Sequence, residues 1–249
     1  MSGARWPYPR ILAHRGGGTL APENTLAAIR HGHALGFRGI EVDAMLAGDG
    51  TPVLIHDETL ERTTGAPGRV AELSHAALAA RDAGAWAGAR WRGERIPTLE
   101  AAAALCAELG TWMNVEIKPA AGHEVATGAA VARMMRAFAP RMAVAPLLSS
   151  FSLDALRAAL QAAPELRRGY IVRQVPADWP AAMRGIEGFS LHCSRRFLDA
   201  AQAQAIHAAG YGLACWTVND PQEAHSLLAL GADCIITDRL DLIGPAFPD

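Results

Sequence analysis

The chain has 249 residues, of which 51% are hydrophobic, so it is long enough to bury the core of one α/β barrel or of two small domains. Its formal net charge of -2 and its pI near 6.5 exclude a strongly basic surface, and the arginines are scattered rather than clustered. We therefore expect a small-molecule ligand and no nucleic acid partner.

The first ten residues contain two prolines and two arginines with no apolar segment behind them, unlike a secretory signal. No segment reaches the ~18 uninterrupted apolar residues that a membrane span requires. The four cysteines form no C-x-x-C pair and have no zinc-finger spacing, which favours buried free thiols. These features predict a cytoplasmic protein without stable membrane association.

Short apolar or β-branched runs alternate along the chain with longer alanine-rich segments of helical periodicity, which is the pattern of repeated βα units. The eight predicted parallel strands are residues 10–14, 39–43, 112–118, 146–150, 169–172, 188–192, 212–217 and 233–237. The predicted helices are residues 24–35, 98–109, 124–138, 153–162, 178–184, 198–209 and 221–230.

A ninth strand-like run, residues 52–56, follows the second strand too closely for a parallel crossover, which needs a dozen or more residues. The turn signal Gly48-Asp49-Gly50 predicts an antiparallel hairpin instead, with His56 roughly opposite Asp43. The region of about residues 58–97 is rich in Gly, Arg and Trp. It is predicted as an insertion, with some helix around residues 74–82, that either caps the barrel mouth or packs outside it.

These elements predict a (β/α)₈ TIM barrel, with a β-hairpin after strand 2, in a single domain spanning residues 1–249. The alternative is a doubly wound open sheet, whose first turn usually carries a glycine-rich dinucleotide fingerprint. Here the first turn is His14-Arg15-Gly16-Gly17-Gly18, which carries charge. The charged turn favours the barrel.

Chemistry in an α/β barrel collects at the C-terminal ends of the strands, and several acidic residues are predicted there. Glu41 and Asp43 lie two residues apart on one strand, as do Glu116 and Lys118 on another, so each pair shares a face. Three carboxylates that converge raise one another's pKa unless a cation neutralises them, and an all-oxygen set suits Mg²⁺ or Ca²⁺ better than zinc. The alternative is a set of salt bridges with Lys118 and nearby arginines.

Two histidines and two cationic residues are predicted at the same mouth. His14 and His56 each end a β run, and two imidazoles can supply an acid and a base, each worth roughly 10²- to 10⁴-fold in rate. Arg15 and Lys118, the single lysine among 23 basic residues, would supply fixed positive charge for a phosphate. Trp216 either forms a flat wall for a small organic moiety or fills the barrel.

A series of motifs follows in order along most of the chain: AHRG at residues 13–16, PENTL at 22–26, IEVD at 40–43, LIHD at 54–57, IPTL at 96–99, NVEIK at 114–118, WTVN at 216–219 and TD at 237–238. In this order they resemble the glycerophosphodiester phosphodiesterase family. The chain is similar to the bacterial cytosolic type, whose fold is the phosphodiesterase barrel of the phospholipase C class.

The resemblance implies hydrolysis of a glycerophosphodiester to an alcohol and sn-glycerol 3-phosphate, either through attack by the substrate's own glycerol hydroxyl or through attack by water. The implied roles are His14 and His56 as general acid and base, Glu41, Asp43 and Glu116 as ligands of a divalent metal (Mg²⁺ or Ca²⁺), and Arg15 and Lys118 as phosphate contacts. For Glu23 and Asn24 we expect support of the mouth and entry into the helix, rather than catalysis.

Two other functions are open to such a chain. A phospholipase of the same barrel type would need an amphipathic or aromatic interfacial surface, for which only Trp86 and Trp91 of the insertion are candidates. A non-catalytic barrel that binds phosphodiesters would have little reason to carry both histidines together with all three acids. A small glycerophosphodiester substrate is therefore the favoured prediction.

Overall fold

A closed ring of eight parallel strands forms the centre of the computed structural model, which describes residues 6–248. In chain order the strands are β1 (Ile11–Ala13), β2 (Gly39–Leu46), β3 (Pro52–Leu54), β4 (Trp112–Ile117), β5 (Leu147–Ser150), β6 (Arg167–Val172), β7 (Ser190–Ser194), β8 (Gly212–Trp216) and β9 (Cys234–Thr237). β1 pairs in parallel with both β2 and β9, which closes the ring. β3 lies outside the ring and pairs antiparallel with β2.

Helices connect the strands of the ring. They are α1 (Leu26–Ala34), α2 (Glu61–Thr64), α3 (His75–Ala79), α4 (Leu99–Leu109), α5 (Glu124–Phe138), α6 (Leu153–Ala162), α7 (Trp179–Gly185), α8 (Ala200–Ala208) and α9 (Pro221–Ala229). The predicted (β/α)₈ TIM barrel is confirmed, because the last strand β9 pairs back onto β1, whereas an open doubly wound sheet has β1 in its interior and ends in two edge strands. In the described part of the chain, no helix combines the length and apolar character needed to cross a membrane.

The strands are apolar because both faces of a parallel barrel strand are covered, one by the helices and one by the barrel interior. All eight residues of β2 are buried, for example. Short polar side chains begin the helices at the C-terminal ends of the strands by accepting a hydrogen bond from the first helical turn. These N-cap residues are Thr25, Thr98, Ser152, Asp199 and Asp220.

An aromatic cluster closes the N-terminal end of the barrel. The rings of Tyr8 and Trp112 stack with their centroids 4.1 Å apart, and Trp6 stacks on Phe189 at 5.9 Å. The guanidinium of Arg167 lies 4.2 Å from the Phe189 ring. Because this end is filled, a ligand has access to the barrel from the C-terminal ends of the strands.

The hairpin register differs from the prediction by one residue. Ala44 pairs with Leu54, and the Ile55 N–H donates to the Asp43 carbonyl at 3.1 Å, so the prediction of His56 opposite Asp43 was wrong. The turn closes by a bond from Ala47 N–H to the Thr51 carbonyl and is centred on residue 49, as the sequence signal predicted, so pairing outward from it brings residue 55 rather than residue 56 opposite Asp43. His56 lies just beyond the paired part of β3.

Other boundaries shift by a few residues. The first helix starts at Leu26 rather than at residue 24, because Thr25 is its N-cap and Asn24 has a left-handed φ of 57°. β7 runs two residues later than predicted, because Gly188 N–H donates to the Met183 carbonyl and closes the end of α7. The predicted helix around residues 74–82 is the shorter α3.

The insertion packs on the outer side of the β2–β3 hairpin and builds a second small core there. Its buried apolar residues include Leu60, Val70 and Leu78, which form one cluster with Met45 and Val53 of the hairpin. Beyond this core, the insertion also reaches the loop between β1 and α1, where the Arg90 guanidinium donates to the Leu20 carbonyl at 3.0 Å.

Candidate active site

Three carboxylates meet at the C-terminal end of two neighbouring strands. Asp43 of β2 lies opposite Glu116 of β4 in the parallel ladder, and Glu41 precedes Asp43 by two residues on the same face. One ligand atom from each of the three side chains lies within 4.8 Å of the others. The predicted convergence of these acids is therefore present in the fold.

Burial and mutual repulsion make this cluster electrostatically unfavourable by itself. Burial, together with the neighbouring Asp43, raises the pKa of Glu41 to about 8 and that of Glu116 to about 7. Burial acts on Asp43 in the same direction, but the cations of Lys118, His56 and Arg15 outweigh it and lower the pKa of Asp43. One carboxylate is thus held ionised while its neighbours resist ionisation.

The donor set fits a hard divalent cation. The Oε1 atom of Glu41 is buried and has no hydrogen-bond partner among the described residues, although a buried carboxylate oxygen normally has one. All three groups offer oxygen, which suits Mg²⁺ or Ca²⁺. A bound cation would satisfy the orphaned oxygen and cancel the repulsion.

His14 lies in the first turn after β1. It contacts Asp238, which follows β9, the strand that pairs with β1 to close the barrel. Its Nδ1 lies 2.5 Å from Asp238 Oδ1, and its Nε2 lies 3.7 Å from Glu41 Oε2. Asn219 donates to the second oxygen of Asp238 at 3.0 Å and fixes that carboxylate. Burial disfavours the imidazolium, but the bond to Asp238 and the charge of Glu41 outweigh burial, and the pKa of His14 is raised.

Arg15 follows His14 in the chain and contacts two of the three clustered carboxylates. Its backbone has a left-handed φ of 52°, which is uncommon for a residue with a side chain, and its N–H donates to Glu41 Oε2 at 3.2 Å. Its guanidinium donates to Glu23 Oε1 at 2.7 Å and approaches Asp43 Oδ2 at 3.5 Å. The side chain is thereby held over the carboxylate cluster.

His56 follows β3 and is oriented by a chain of charged residues. Its Nδ1 lies 2.6 Å from Asp57 Oδ1, and Arg62 donates to the other oxygen of Asp57 at 2.6 Å. Arg62 also donates twice to Glu23, at 2.7 and 2.8 Å, which links this chain to Arg15. Burial lowers the pKa of His56, in contrast with the raised pKa of His14.

Lys118 lies just beyond β4 and pairs with two of the acids. Its Nζ is 3.3 Å from Glu116 Oε1 and 3.5 Å from Asp43 Oδ1. Burial acts against the ammonium, but Asp43 and Glu116 outweigh it and raise the pKa of Lys118. The salt bridges considered from the sequence are therefore present at the same place as the carboxylate cluster.

Trp216 ends β8 and forms part of the wall of a cavity of about 100 Å³. Its indole N–H donates to the His192 carbonyl at 3.3 Å, and its ring meets Phe151 edge-on with centroids 5.4 Å apart. The lining of this cavity contains all eight residues predicted from the sequence, namely His14, Arg15, Glu41, Asp43, His56, Glu116, Lys118 and Trp216. Its apolar side is completed by Phe151 and Ile171.

Some residues of the site had no assigned role in the sequence prediction. Asp238 was quoted only as part of the TD motif, and its bond to His14 depends on closure of the barrel across 224 residues. Arg62 lies in the insertion and meets Glu23 39 residues away, a pairing that no local periodicity indicates. Asn24 was expected to support the mouth, and it exchanges two hydrogen bonds with Asp43, at 2.8 and 3.0 Å.

Comparison with known proteins agrees with this geometry. The family model described as "Glycerophosphoryl diester phosphodiesterase family" matches residues 14–242. The chain belongs to this family. A glycerophosphodiester phosphodiesterase of Caldanaerobacter subterraneus subsp. tengcongensis is 32% identical over 229 residues, which cover 92% of this chain and 93% of that protein. Membership confirms the predicted family and the prediction of a phosphoric diester hydrolase.

Solved structures of family members share the fold. A phosphodiesterase of Oleispira antarctica, solved in complex with the product sn-glycerol-3-phosphate, is 38% identical and superposes with a TM-score of 0.88 over 93% of both chains. A putative glycerophosphoryl diester phosphodiesterase of Silicibacter pomeroyi is 25% identical, with a TM-score of 0.81 over 94% of this chain and 91% of that one. This chain thus shares its barrel fold with both of these proteins.

Proposed function

We propose that the chain hydrolyses glycerophosphodiesters to an alcohol and sn-glycerol 3-phosphate. The observation that carries the proposal is the meeting of two histidines, three carboxylates and two cations in one cavity of about 100 Å³. A family member that is 38% identical over 93% of this chain binds sn-glycerol-3-phosphate as its product. The cavity contains both the groups that bind a phosphate and the groups that transfer protons.

In the proposed site, Glu41, Asp43 and Glu116 hold one divalent cation, Mg²⁺ or Ca²⁺. When bound, the cation would polarise a phosphoryl oxygen and stabilise the charge that develops on it. The support for this assignment is the all-oxygen cluster with ligand atoms within 4.8 Å and the orphaned Glu41 Oε1. Asn24 fixes the orientation of Asp43 through two hydrogen bonds, so this carboxylate needs little rearrangement on binding.

Arg15 and Lys118 bind the non-bridging oxygens of the phosphate in this proposal. Both face Asp43, at 3.5 Å each, and therefore lie on the border of the carboxylate cluster. Their charges balance the acids while the substrate is absent and are available to a phosphodiester when it arrives. Charged hydrogen bonds of this kind act in a cavity from which water is largely removed, where they are strong.

His14 and His56 act as general acid and general base. Each has Nδ1 tied to an aspartate, so in each case Nε2 is the atom that can exchange a proton with substrate. His56 Nε2 removes the proton of the attacking hydroxyl, and His14 Nε2 gives one to the departing alcohol oxygen. The attacking hydroxyl belongs either to the glycerol moiety, which gives a cyclic phosphate first, or to water.

Trp216 supports the carbon skeleton of the glycerol moiety. Its ring, together with Phe151 and Ile171, contributes apolar surface to the cavity, and β2 and β4 contribute the carboxylates. A glycerol phosphate has the same two-sided character, with C–H groups on one part and a dianionic phosphate on the other. We therefore assign the glycerol moiety to this cavity of about 100 Å³, called the deep cavity below.

The test is release of glycerol 3-phosphate from glycerophosphodiesters after exhaustive chelation and again after addition of Mg²⁺ or Ca²⁺. We expect turnover with an added cation and a loss of at least about 100-fold in His14→Ala, whose folding is checked by circular dichroism. Undiminished turnover in metal-free buffer would contradict the metal assignment. Unchanged turnover in His14→Ala would contradict its role, and a cyclic phosphate detected by ³¹P NMR would identify attack by the glycerol hydroxyl.

A further inference from the structure

Two cavities meet at the proposed general acid and at one of the two proposed phosphate-binding residues. The deep cavity of about 100 Å³ contains the carboxylates and Trp216, and a second cavity of about 340 Å³ lies outside it. His14 and Arg15 belong to both linings. The other residues that line the outer cavity are Gly18, Thr19, Glu23, Trp86, Ala87 and Asp238. A phosphate bound between the cavities could extend one ester arm into each.

The outer cavity has one large aromatic side chain, Trp86 of the insertion. Trp86 is 46% exposed, so a large part of its indole ring is accessible to a ligand. The small residues of the lining are Gly18 and Thr19 of the loop between β1 and α1, and Ala87, the neighbour of Trp86 in the insertion. Gly18 has a φ of 55°, and a Cβ there would lie 2.1 Å from the Asp238 carbonyl oxygen, so this wall has no room for a side chain at Gly18. These small side chains occupy little of the outer cavity, so its volume of about 340 Å³ remains available to a ligand beside Trp86.

The indole is held in a fixed orientation. Trp86 Nε1 donates to the Ala83 carbonyl at 2.9 Å, and the short turn that carries it is closed by Asp82, whose Oδ1 accepts from the N–H groups of Gly84 and Ala85 at 2.9 Å each. The other oxygen of Asp82 accepts from Gly93 N–H at 2.9 Å. A ring fixed in this way loses little freedom when a ligand stacks on it.

The two walls of the outer cavity are also joined to each other. The Arg90 guanidinium donates to the Leu20 carbonyl at 3.0 Å, and the Trp91 ring meets His31 of α1 edge-on with centroids 5.7 Å apart. The insertion therefore fixes the position of Trp86 relative to the loop between β1 and α1. The sequence left two positions for the insertion, over the barrel mouth or outside the barrel. These two contacts favour the position at the mouth.

We infer that the outer cavity is the subsite for the departing alcohol, and that Trp86 binds a cationic head group of the trimethylammonium type. The inference rests on the proposed hydrolysis of glycerophosphodiesters. An indole face attracts cations by its quadrupole and is a common partner of quaternary ammonium ligands. The carboxylates of Glu23 and Asp238 line the same cavity and offset the positive charges of Arg15 and His14, with which they are paired, so the lining offers no excess positive charge to an anionic head group.

The position of His14 agrees with this assignment. The histidine that gives a proton to the departing oxygen has to face the arm that leaves, and His14 borders the outer cavity, whereas His56 borders the deep one. The smaller deep cavity then holds the glycerol moiety, which is the same in every substrate. The larger outer cavity accepts the part that varies.

The test compares hydrolysis of glycerophosphocholine with that of glycerophosphoglycerol, whose alcohol has no charge, in the wild type, Trp86→Phe and Trp86→Ala. For glycerophosphocholine we expect Trp86→Ala to raise KM by about 5- to 30-fold with little change in kcat, and Trp86→Phe to restore part of the affinity. For glycerophosphoglycerol the rise in KM should be several times smaller. The control is Phe197→Ala, an aromatic residue with the same 46% exposure that lines neither cavity.

Equal effects of Trp86→Ala on both substrates, or effects no larger than those of Phe197→Ala, would overturn the inference while leaving the proposed hydrolysis intact. A wild-type protein that releases glycerol 3-phosphate from neither substrate would overturn the proposed function and, with it, the subsite. Because Trp86 is largely exposed, its replacement should not prevent folding, and a thermal unfolding curve of each variant verifies this.

Discussion

The Nδ1 atom of His14 lies 2.5 Å from Oδ1 of Asp238, so the residue after the first strand is oriented by the residue after the last. This bond directs the opposite ring nitrogen, Nε2, towards the carboxylate cluster, where Glu41 Oε2 is 3.7 Å away. An aspartate in this position selects the tautomer and stabilises the imidazolium. The orientation of the proposed general acid, His14, therefore depends on closure of the barrel.

Replacing Asp238 with Asn should lower kcat by about 10²- to 10⁴-fold, because the amide keeps the shape but loses the charge that supports the protonated ring. The measurement is glycerol 3-phosphate release with the preferred cation. The matched control is Asp233→Asn, since Asp233 also contacts a histidine, His207, at 3.1 Å but lies outside both cavities. Turnover equal to that of the control would contradict the role of Asp238.

The strand-borne part of the site could be predicted from the sequence, because strand periodicity is local. Glu41 and Asp43 share a face by alternation, and parallel strands bring Glu116 beside Asp43. The loop-borne residues could be predicted at the mouth as well, but the direction of their side chains could not. The left-handed φ angles of Arg15 and Asn24 direct their side chains into the site, and neither residue type demands that conformation.

The insertion shows the same limit. Its composition indicated an irregular segment, and a second core formed with the hairpin decides where it packs. The contact of Arg62 with Glu23 follows from that packing, as does the place of Trp86 at the outer cavity. Such contacts depend on how the insertion packs on the hairpin. No repeating pattern in the sequence indicates that packing.

Cation binding should be measurable without any assay of activity. A cation that binds only the folded state at 100 times its Kd adds about 2.7 kcal/mol to the free energy of unfolding. We expect Mg²⁺ or Ca²⁺ to stabilise the wild type against urea and to leave Glu41→Gln almost unchanged. Glutamine keeps the shape of a carboxyl group whose pKa is raised to about 8 and cannot ionise within the crowded cluster, so in chelator the variant should be no less stable than the wild type.

The control for that experiment is Glu108→Gln, an exposed carboxylate on α4 outside the cluster. It should respond to the cation as the wild type does. If Glu41→Gln were stabilised to the same extent, the cation would have to bind elsewhere, and the assignment of Glu41 as a ligand would be wrong.

Arg62 should influence the reaction through His56 without touching the substrate. It bonds to Asp57 at 2.6 Å and to both oxygens of Glu23, and with His56 it lowers the pKa of Asp57 to about 2. Replacing Arg62 with Met should release Asp57 and let the His56 ring reorient, with a loss of up to about 100-fold in kcat. Arg62→Lys should recover only part of this loss, since an ammonium cannot span both carboxylates in forked geometry.

For Arg62 the informative comparison is between kcat and KM. A residue that only orients the base should change kcat more than KM, whereas a residue that binds the substrate should change KM. Steady-state kinetics of both variants on one glycerophosphodiester makes the distinction. A rise in KM at constant kcat would show that Arg62 binds substrate, contrary to the geometry.

His192 also lines the deep cavity. Its burial predicts that the free energy of unfolding depends on pH. The side chain is 1% exposed, its Nε2 pairs with Ser190 at 2.9 Å, and its Nδ1 has no partner among the described residues. Burial lowers the pKa of His192 to about 4, below its value of 6.5 in the unfolded chain. Folding therefore favours the neutral ring.

Because the folded pKa is the lower one, the unfolded chain binds the extra proton between pH 6.5 and about 4. The contribution of the neutral ring to stability is complete above pH 6.5 and is lost as the pH falls through this window. Between pH 7 and pH 5, the wild type should lose about 2 kcal/mol more unfolding free energy than His192→Asn, which has no titrating ring. Urea unfolding in metal-free buffer at both pH values measures the difference, and parallel losses in the two proteins would show that His192 titrates normally.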